Sequence, residues 1–306
     1  MTDASGDFLL IKGFNGASRN PYHTFTVLEL RIDGRTLLRG YRNQAQARLD
    51  GLVEPHIAMD AALRACDVTG GTAAVTAEVP DAAFCNWRRT LAQRTGRYAL
   101  FVDDLTFRSG GEGMEVEILF ETERPATVST DGYATFDAHA DGGDEKAAKA
   151  GVWSADALRT TCRDRVIRMA WHGAVRAGDR RVYFSLVGME PEGCFRLSDS
   201  AAALALPGPA LATAGGYAGV EGELVILAGD HLYGRGVTKV GLAGTLLKAG
   251  APVDADWDFE TGELNFVTTS ETQVVVALGP HPPPIPLPLP VGEGGGNSRL
   301  PNGDGG

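Results

Sequence analysis

Two strand–turn–strand units near the N-terminus constrain this chain more than any other feature. One is Tyr22–Leu38 (YHTFTVLELRIDGRTLL) and the other Ala83–Phe107 (AFCNWRRTLAQRTGRYALFVDDLTF). In the first, Thr26, Leu28, Leu30 and Ile32 share one face while Glu29 and Arg31 fall on the other, the period-2 signature of a half-buried strand. Asp33-Gly34 follows, a pair that tolerates the positive φ angles of a tight hairpin. The second unit turns at Thr95-Gly96 and resumes with Tyr98, Leu100 and Val102 in alternation. A sequence patterned this way cannot sit as an amphipathic helix. The chain is expected to be sheet, and to work through sheet faces or edge loops.

The same signal recurs downstream. Residues 7–14 (DFLLIKGF) read as a first strand, and Ala73–Val79 continues the sheet. Met114, Val116, Ile118 and Phe120 alternate with Glu115 and Glu117, a strand with one wet face. Strands are expected again at Arg163–Trp171, Arg181–Gly188, Glu223–Leu227, Val237–Leu242, Glu263–Thr268 and Gln273–Leu278, with a turn at Thr261-Gly262. Ile57–Val68 reads equally as a short helix or as a strand entering the Gly70-Gly71 turn. Asp137–Lys149 has the composition of a surface loop or insertion, and Asp230–Arg235 reads as a loop with His231 solvated or structural. From Pro280 the chain turns Pro-rich and then Gly-rich, a composition that cannot bury a core.

The resulting expectation is an all-β fold, a large antiparallel β-sandwich of supersandwich type over residues 1–200. A linker at 201–215, a smaller β subdomain at 216–279 and a disordered tail at 280–306 complete it. At 306 residues the chain can bury a substantial core as one β domain or two.

Several chemistries have no support. There is no GxxxxGK[ST], no strand-linked GxGxxG, no HExxH and no GxSxG. A net charge of −11 argues against nucleic acid or an anionic membrane as partner. No apolar run approaches the roughly 20 residues of a membrane span, and residues 1–13 lack the basic and apolar regions of a secretory signal. The compartment is left open: cytoplasmic, or exported by a signal lying elsewhere. Of the 28 cationic residues only five are Lys and 23 are Arg. Arginine grips carboxylate and sulfate in bidentate fashion, although a GC-rich genome yields the same bias. Cys66, Cys85, Cys162 and Cys194 are too far apart for a metal knuckle, and read as buried free thiols or as two disulfides. The sequence requires no cofactor and leaves a divalent metal open; no metal ligand set is assigned.

Arg19-Asn20-Pro21-Tyr22-His23, at the mouth of the first long strand, is the densest polar cluster. Histidine takes a proton near neutral pH, tyrosine gives one, and arginine or asparagine offsets a carboxylate. Those are the roles needed for β-elimination on a uronic acid; the same residues also serve as ordinary edge residues. A second run, Tyr41-Arg42-Asn43-Gln44 flanked by Arg48, lines a groove or forms an exposed strand edge. Trp87 with Arg88 and Arg89 makes an aromatic platform beside cations, or belongs to the core, because Trp87, Arg89 and Leu91 share a face. His56, His139, His172 and His281 join no cluster.

At Asn15–Leu38 and again at Ala83–Glu121 the chain resembles the β-sandwich region of heparinase II/III-like polysaccharide lyases. Thr24-Phe25, Val27-Leu28, Gly34 and Leu37-Leu38 look like that family's strand near the start of the sandwich. The run from Trp87-Arg88-Arg89 through Tyr98–Asp103 is similar to a later hairpin. The resemblance covers roughly residues 8 to 125. It departs at the loop of the form HxHxDxNSF, where this chain has Ser18-Arg19-Asn20-Pro21-Tyr22-His23-Thr24-Phe25, and the α/α toroid that precedes the sandwich in the family is missing. The resemblance implies a sandwich that acts on an acidic polysaccharide together with a toroid, in the periplasm or outside the cell. Together with the Arg19–His23 cluster it makes His23 the base or carboxylate-neutralising group, Tyr22 the proton donor, and Arg19 and Asn20 the acid-group contacts; the other two polar runs add Arg42, Asn43, Trp87 and Arg88 as candidate substrate contacts. The other expectation is a non-catalytic carbohydrate-binding or structural β module.

Overall fold

A computed structural model describes residues 6–13, 24–52, 60–82, 84–140, 147–189, 195–198, 203–206, 219–228, 231–242, 245–258 and 261–277. The fold is all-β, and no helix occurs among these residues. In chain order the first strands are β1 (Phe8–Lys12), β2 (Thr26–Ile32), β3 (Arg35–Arg39), β4 (Gln44–Leu49), β5 (Ala62–Thr69), β6 (Thr72–Ala82), β7 (Cys85–Arg94), β8 (Tyr98–Phe107) and β9 (Gly111–Glu121). Next come β10 (Ala126–Val128), β11 (Ala134–Ala138), β12 (Ala148–Ser154), β13 (Arg159–Arg163), β14 (Val166–Val175) and β15 (Arg180–Met189). The last are β16 (Phe195–Ser198), β17 (Ala203–Leu206), β18 (Gly219–Glu221), β19 (Leu224–Ala228), β20 (His231–Leu242), β21 (Thr245–Asp258), β22 (Leu264–Thr268) and β23 (Val274–Ala277).

These strands form sandwich-like layers. A three-stranded sheet (β1-β2-β3) and a four-stranded sheet (β13-β14-β9-β4) cover one face of a central eight-stranded sheet ordered β10-β11-β12-β15-β8-β7-β6-β5. Val27, Leu30, Leu37, Ile118, Phe120, Ile167 and Met169 meet Val79, Trp87, Leu91, Phe101 and Phe107 in that interface. Phe101 meets Phe120 edge-on across it, with ring centroids 5.1 Å apart. The other face of the central sheet is also buried: Leu100, Val102, Phe184 and Leu186 pack on Leu224, Ile226 and Tyr233 of the C-terminal sheet. A strand covered on both faces must be apolar on both, and β8 reads Tyr-Ala-Leu-Phe-Val before its first carboxylate.

The hairpin turn falls at Asp33-Gly34, with φ of 52° and 68°, both positive as a type I′ turn requires. Within β2, however, Val27 is fully buried and Leu28 only half-buried. The β1–β2 register shifts between Ile11↔Val27 and Leu10↔Glu29, so Leu28 is the extra residue of a bulge and leaves the face assigned to it. The Ala83–Phe107 unit is the β7–β8 hairpin, and Ile57–Val68 resolves as strand where described, as β5. Asp137 and Lys149, read as the ends of a loop, are opposed strand residues, with Lys149 Nζ 2.5 Å from Asp137 Oδ1. Within the stretch read as a linker, Ala203–Leu206 pair in parallel with β19. His231–Arg235, read as a loop, opens β20, and His231 is 1% exposed. Cys66, Cys85 and Cys162 are free thiols, while Cys194 and the segment 278–306 lie outside the described residues.

Candidate groove on the four-stranded sheet

Alternation decides what the four-stranded sheet shows to solvent. In β4, Ala45 and Ala47 face the core, which turns Gln44, Gln46 and Arg48 outward. Core-facing Met114, Val116, Ile118 and Phe120 turn Glu115, Glu117, Leu119 and Glu121 outward in β9. The register places Gln44 beside Leu119 and Gln46 beside Glu117 on one flank, and Arg168 beside Leu119 on the other. The outer face is a groove of about 850 Å³.

Four arginines line it, Arg42, Arg48, Arg163 and Arg168, against two glutamates, Glu117 and Glu121. In a chain of net charge −11 this is a local excess of cations. The floor is internally neutralised. Glu117 is 5% exposed, accepts hydrogen bonds from Gln46 Nε2 and Arg168 Nε, and lies 3.2 Å from Arg48 Nε. The face expected to be wet is therefore an ion-pair network with a nearly buried centre. Arg168 also reaches Glu115, whose Oε1 lies 3.2 Å from His172 Nε2. The Glu121 carboxylate rests against Gly40, whose φ of +137° is one that residues with a side chain rarely adopt, so glycine suits that wall. By contrast Arg42 and Arg163 are exposed, and neither has an ion-pair partner among the described residues. Tyr41 lies at the same rim, 57% exposed, with Lys12 Nζ 5.8 Å from its ring centre.

The residues singled out from sequence are distributed unevenly. Arg19, Asn20, Tyr22 and His23 lie outside the described residues. Arg42 and Gln44 line the groove. Asn43 is fully buried: its Nδ2 donates to Val27 O at 2.8 Å and its Oδ1 accepts from Glu121 N at 2.6 Å, so it shapes the wall from inside. Trp87 is internal, 2% exposed, with Nε1 donating to Asp103 at 2.8 Å. Its platform is buried because Trp87, Arg89 and Leu91 all point between the layers. Arg88 lies on the opposite face of β7, 3.9 Å from Glu223, away from the groove. Arg163, Arg168, Glu117 and Glu121 did not emerge as site residues from the sequence; only the charges on β9, β13 and β14 hinted at them.

A second polar cluster lies between the central and C-terminal sheets. Tyr233 Oη donates to Asp67 at 3.1 Å, Arg235 donates to Thr76 at 2.8 Å, and Arg94 reaches Asp256 at 3.0 Å. His231 Nε2 is 2.9 Å from Asp256 Oδ2 but out of line for a hydrogen bond. Burial pushes the Asp67 carboxyl above its usual range, and Asp254 and Glu223 add to this, against the pull of Arg235 and Tyr233. Burial beside Asp67 likewise keeps the Tyr233 phenol protonated. No group of three or more His, Cys, Asp or Glu among the described residues is arranged to hold a metal ion.

No protein-family model matches the chain, and no curated protein does. Among solved structures it is similar to the heparan sulfate lyase HepC of Pedobacter heparinus, at TM-score 0.49 and 13% identity, covering 65% of this chain and 36% of that one. It is also similar to the heparinase III BT4657 gene product, at TM-score 0.44 and 12% identity, covering 64% and 38%. A third, heparinase III, aligns at TM-score 0.38 and 10% identity, covering 83% and 35%. The chain thus spans between 35% and 38% of the length of these three structures.

Proposed function

We propose that this chain is the β-sandwich portion of a heparinase II/III-like polysaccharide lyase, and that its groove holds a uronate-containing glycan. The observation that carries this reading is a pair of exposed cations without an ion-pair partner among the described residues, Arg42 and Arg163, in an arginine-rich groove on an acidic protein. Guanidinium groups suit carboxylate and sulfate, and an exposed aromatic at the rim, Tyr41, suits the apolar face of a sugar ring. The resemblance at Asn15–Leu38 and Ala83–Glu121 supports the same class.

In β-elimination the C5–H bond breaks, a C4=C5 double bond forms, and the C4–O4 bond breaks as O4 gains a proton. His23 is proposed to take the C5 proton and Tyr22 to supply the proton to O4. Arg19, Asn20 and Arg42 are proposed to offset the carboxylate charge that spreads as C5 becomes an enolate. Lys12 O accepts from Phe25 N at 2.7 Å, and the Lys12 ammonium stands over Tyr41 at the groove rim.

A specific observation favours the second reading, a non-catalytic carbohydrate-binding module. Glu117 is pinned by Arg168, Arg48 and Gln46, so the groove floor grips without offering a free base. The test is incubation with alginate, hyaluronan and heparan sulfate while following the ultraviolet absorbance of unsaturated uronate. A rise lost in His23→Ala supports the lyase; binding without a rise supports the module; neither binding nor a rise rejects both.

A further inference from the structure

The two inner faces that meet at the open end of the sandwich carry an unexpected pair of side chains. In β14, Ile167, Met169 and Trp171 point toward the central sheet. In β15, Tyr183 and Val187 point back at them, and the alternation puts Arg181 on the same inner face. Most inward positions on these two strands are apolar. Here the Arg181 guanidinium stacks on the Trp171 indole, 3.8 Å from the ring centre. Gly173 makes room for that indole, since an added Cβ would lie 2.5 Å from it.

Arg181 Nε is shut off from solvent and donates no hydrogen bond among the described residues. Nor does any carboxylate among them pair with Arg181. Of the two nearby charges, the cation is paired away from the cleft and the carboxylate is fixed at its wall. Arg180 is tied to Asp104 by two hydrogen bonds of 2.8 and 2.7 Å, and Asp156 Oδ2 accepts from Phe184 N at 2.7 Å. A half-buried cation with an enclosed, unsatisfied donor is costly unless an acceptor completes it. Space for one is present: Trp171, Arg181, Tyr183 and Asp156 line a cleft of about 500 Å³ between the two sheets.

We propose that this inter-sheet cleft is an oxyanion-binding site, separate from the outer groove, in which Arg181, held flat by Trp171, grips a carboxylate or sulfate group. Arg181 supplies the fork and Trp171 fixes its plane, so less rotamer freedom is lost on binding. Tyr183 lines the same space. The ligand is a small oxyanion, either free inorganic sulfate or the carboxylate of a single sugar acid.

Trp171 makes the site observable. The full chain is titrated with sodium sulfate and, separately, sodium glucuronate at constant ionic strength, with chloride as control and tryptophan emission as readout. The expected result is a saturable change with at least one of the two, absent with chloride. Saturation by sulfate alone assigns a free inorganic oxyanion, and saturation by glucuronate alone assigns a sugar acid. Trp171→Phe abolishes the signal, and Arg181→Gln weakens binding by at least tenfold. Arg181→Lys, which keeps the charge and loses the fork, falls between Arg181→Gln and wild type. A wild-type response no different from chloride, or one that survives in Arg181→Gln, overturns the proposal.

Discussion

Arg89 and Asp103 face one another across the β7–β8 hairpin with their side chains 0% and 1% exposed, joined by contacts of 2.6 and 2.9 Å. The pair also ties the central sheet to the groove. Arg89 Nη1 donates to the carbonyl of Asn43 at 2.7 Å, and Asn43 in turn holds the backbone of Glu121 in the groove wall.

Breaking this pair on one side leaves a charge buried without its partner, which costs about 3–5 kcal/mol. Asp103→Asn is therefore predicted to lose stability of that order in urea denaturation. The double variant Arg89→Met/Asp103→Leu removes both charges and is predicted to lose clearly less than the two single losses added together. Equal and additive losses would refute the coupling.

How much of this was legible in the sequence depended on distance along the chain. The Asp33-Gly34 turn and the Met114–Phe120 alternation are local signals, and they gave one hairpin and the core face of β9. Leu28 was misplaced because a bulge is a property of a strand pair, which one strand cannot announce. His231–Arg235 looked like a loop because its His, Gly and Arg are loop residues by composition. Their partners, Asp256, Asp67 and Thr76, come from other strands and make burial of those side chains tolerable. The groove was half visible: Tyr41–Gln44 and Arg48 read as a groove or an exposed strand edge, and all but the buried Asn43 line the groove, yet Arg163 and Arg168 join them only through the β9–β14 and β13–β14 pairings.

Asp67 gives the layer contact a pH signature. Its folded pKa lies above its unfolded one, so between those values the folded state holds a proton that the unfolded chain has released. Raising pH through that window therefore costs stability. Asp67→Asn is predicted to remove this slope and to exceed wild type in stability at neutral pH, with the difference closing in acid. Thermal melts across the acidic range check it; a difference that widens in acid would contradict the assignment.

Thiol reactivity tests the burial pattern. Cys66 is exposed, Cys85 is 0% exposed, and burial, reinforced by Asp164, raises the Cys162 thiol above its usual range. In native protein, a disulfide reagent followed by peptide mapping is predicted to label Cys66 first, Cys162 slowly, and Cys85 only after unfolding.

The central claim is that the outer groove grips a polyanionic glycan through Arg42 and Arg163. The most direct test measures the affinity of wild type and of Arg42→Gln/Arg163→Gln for alginate, hyaluronan and heparan sulfate, at low and at physiological salt. Exposed ion pairs contribute roughly 0.2–1 kcal/mol each, so losing both is predicted to weaken binding to at least one polymer by about twofold to thirtyfold. The wild-type affinity should also fall more steeply with salt than that of the variant. Equal affinity and equal salt dependence in the two proteins, or no binding by wild type to any of the three, would contradict it.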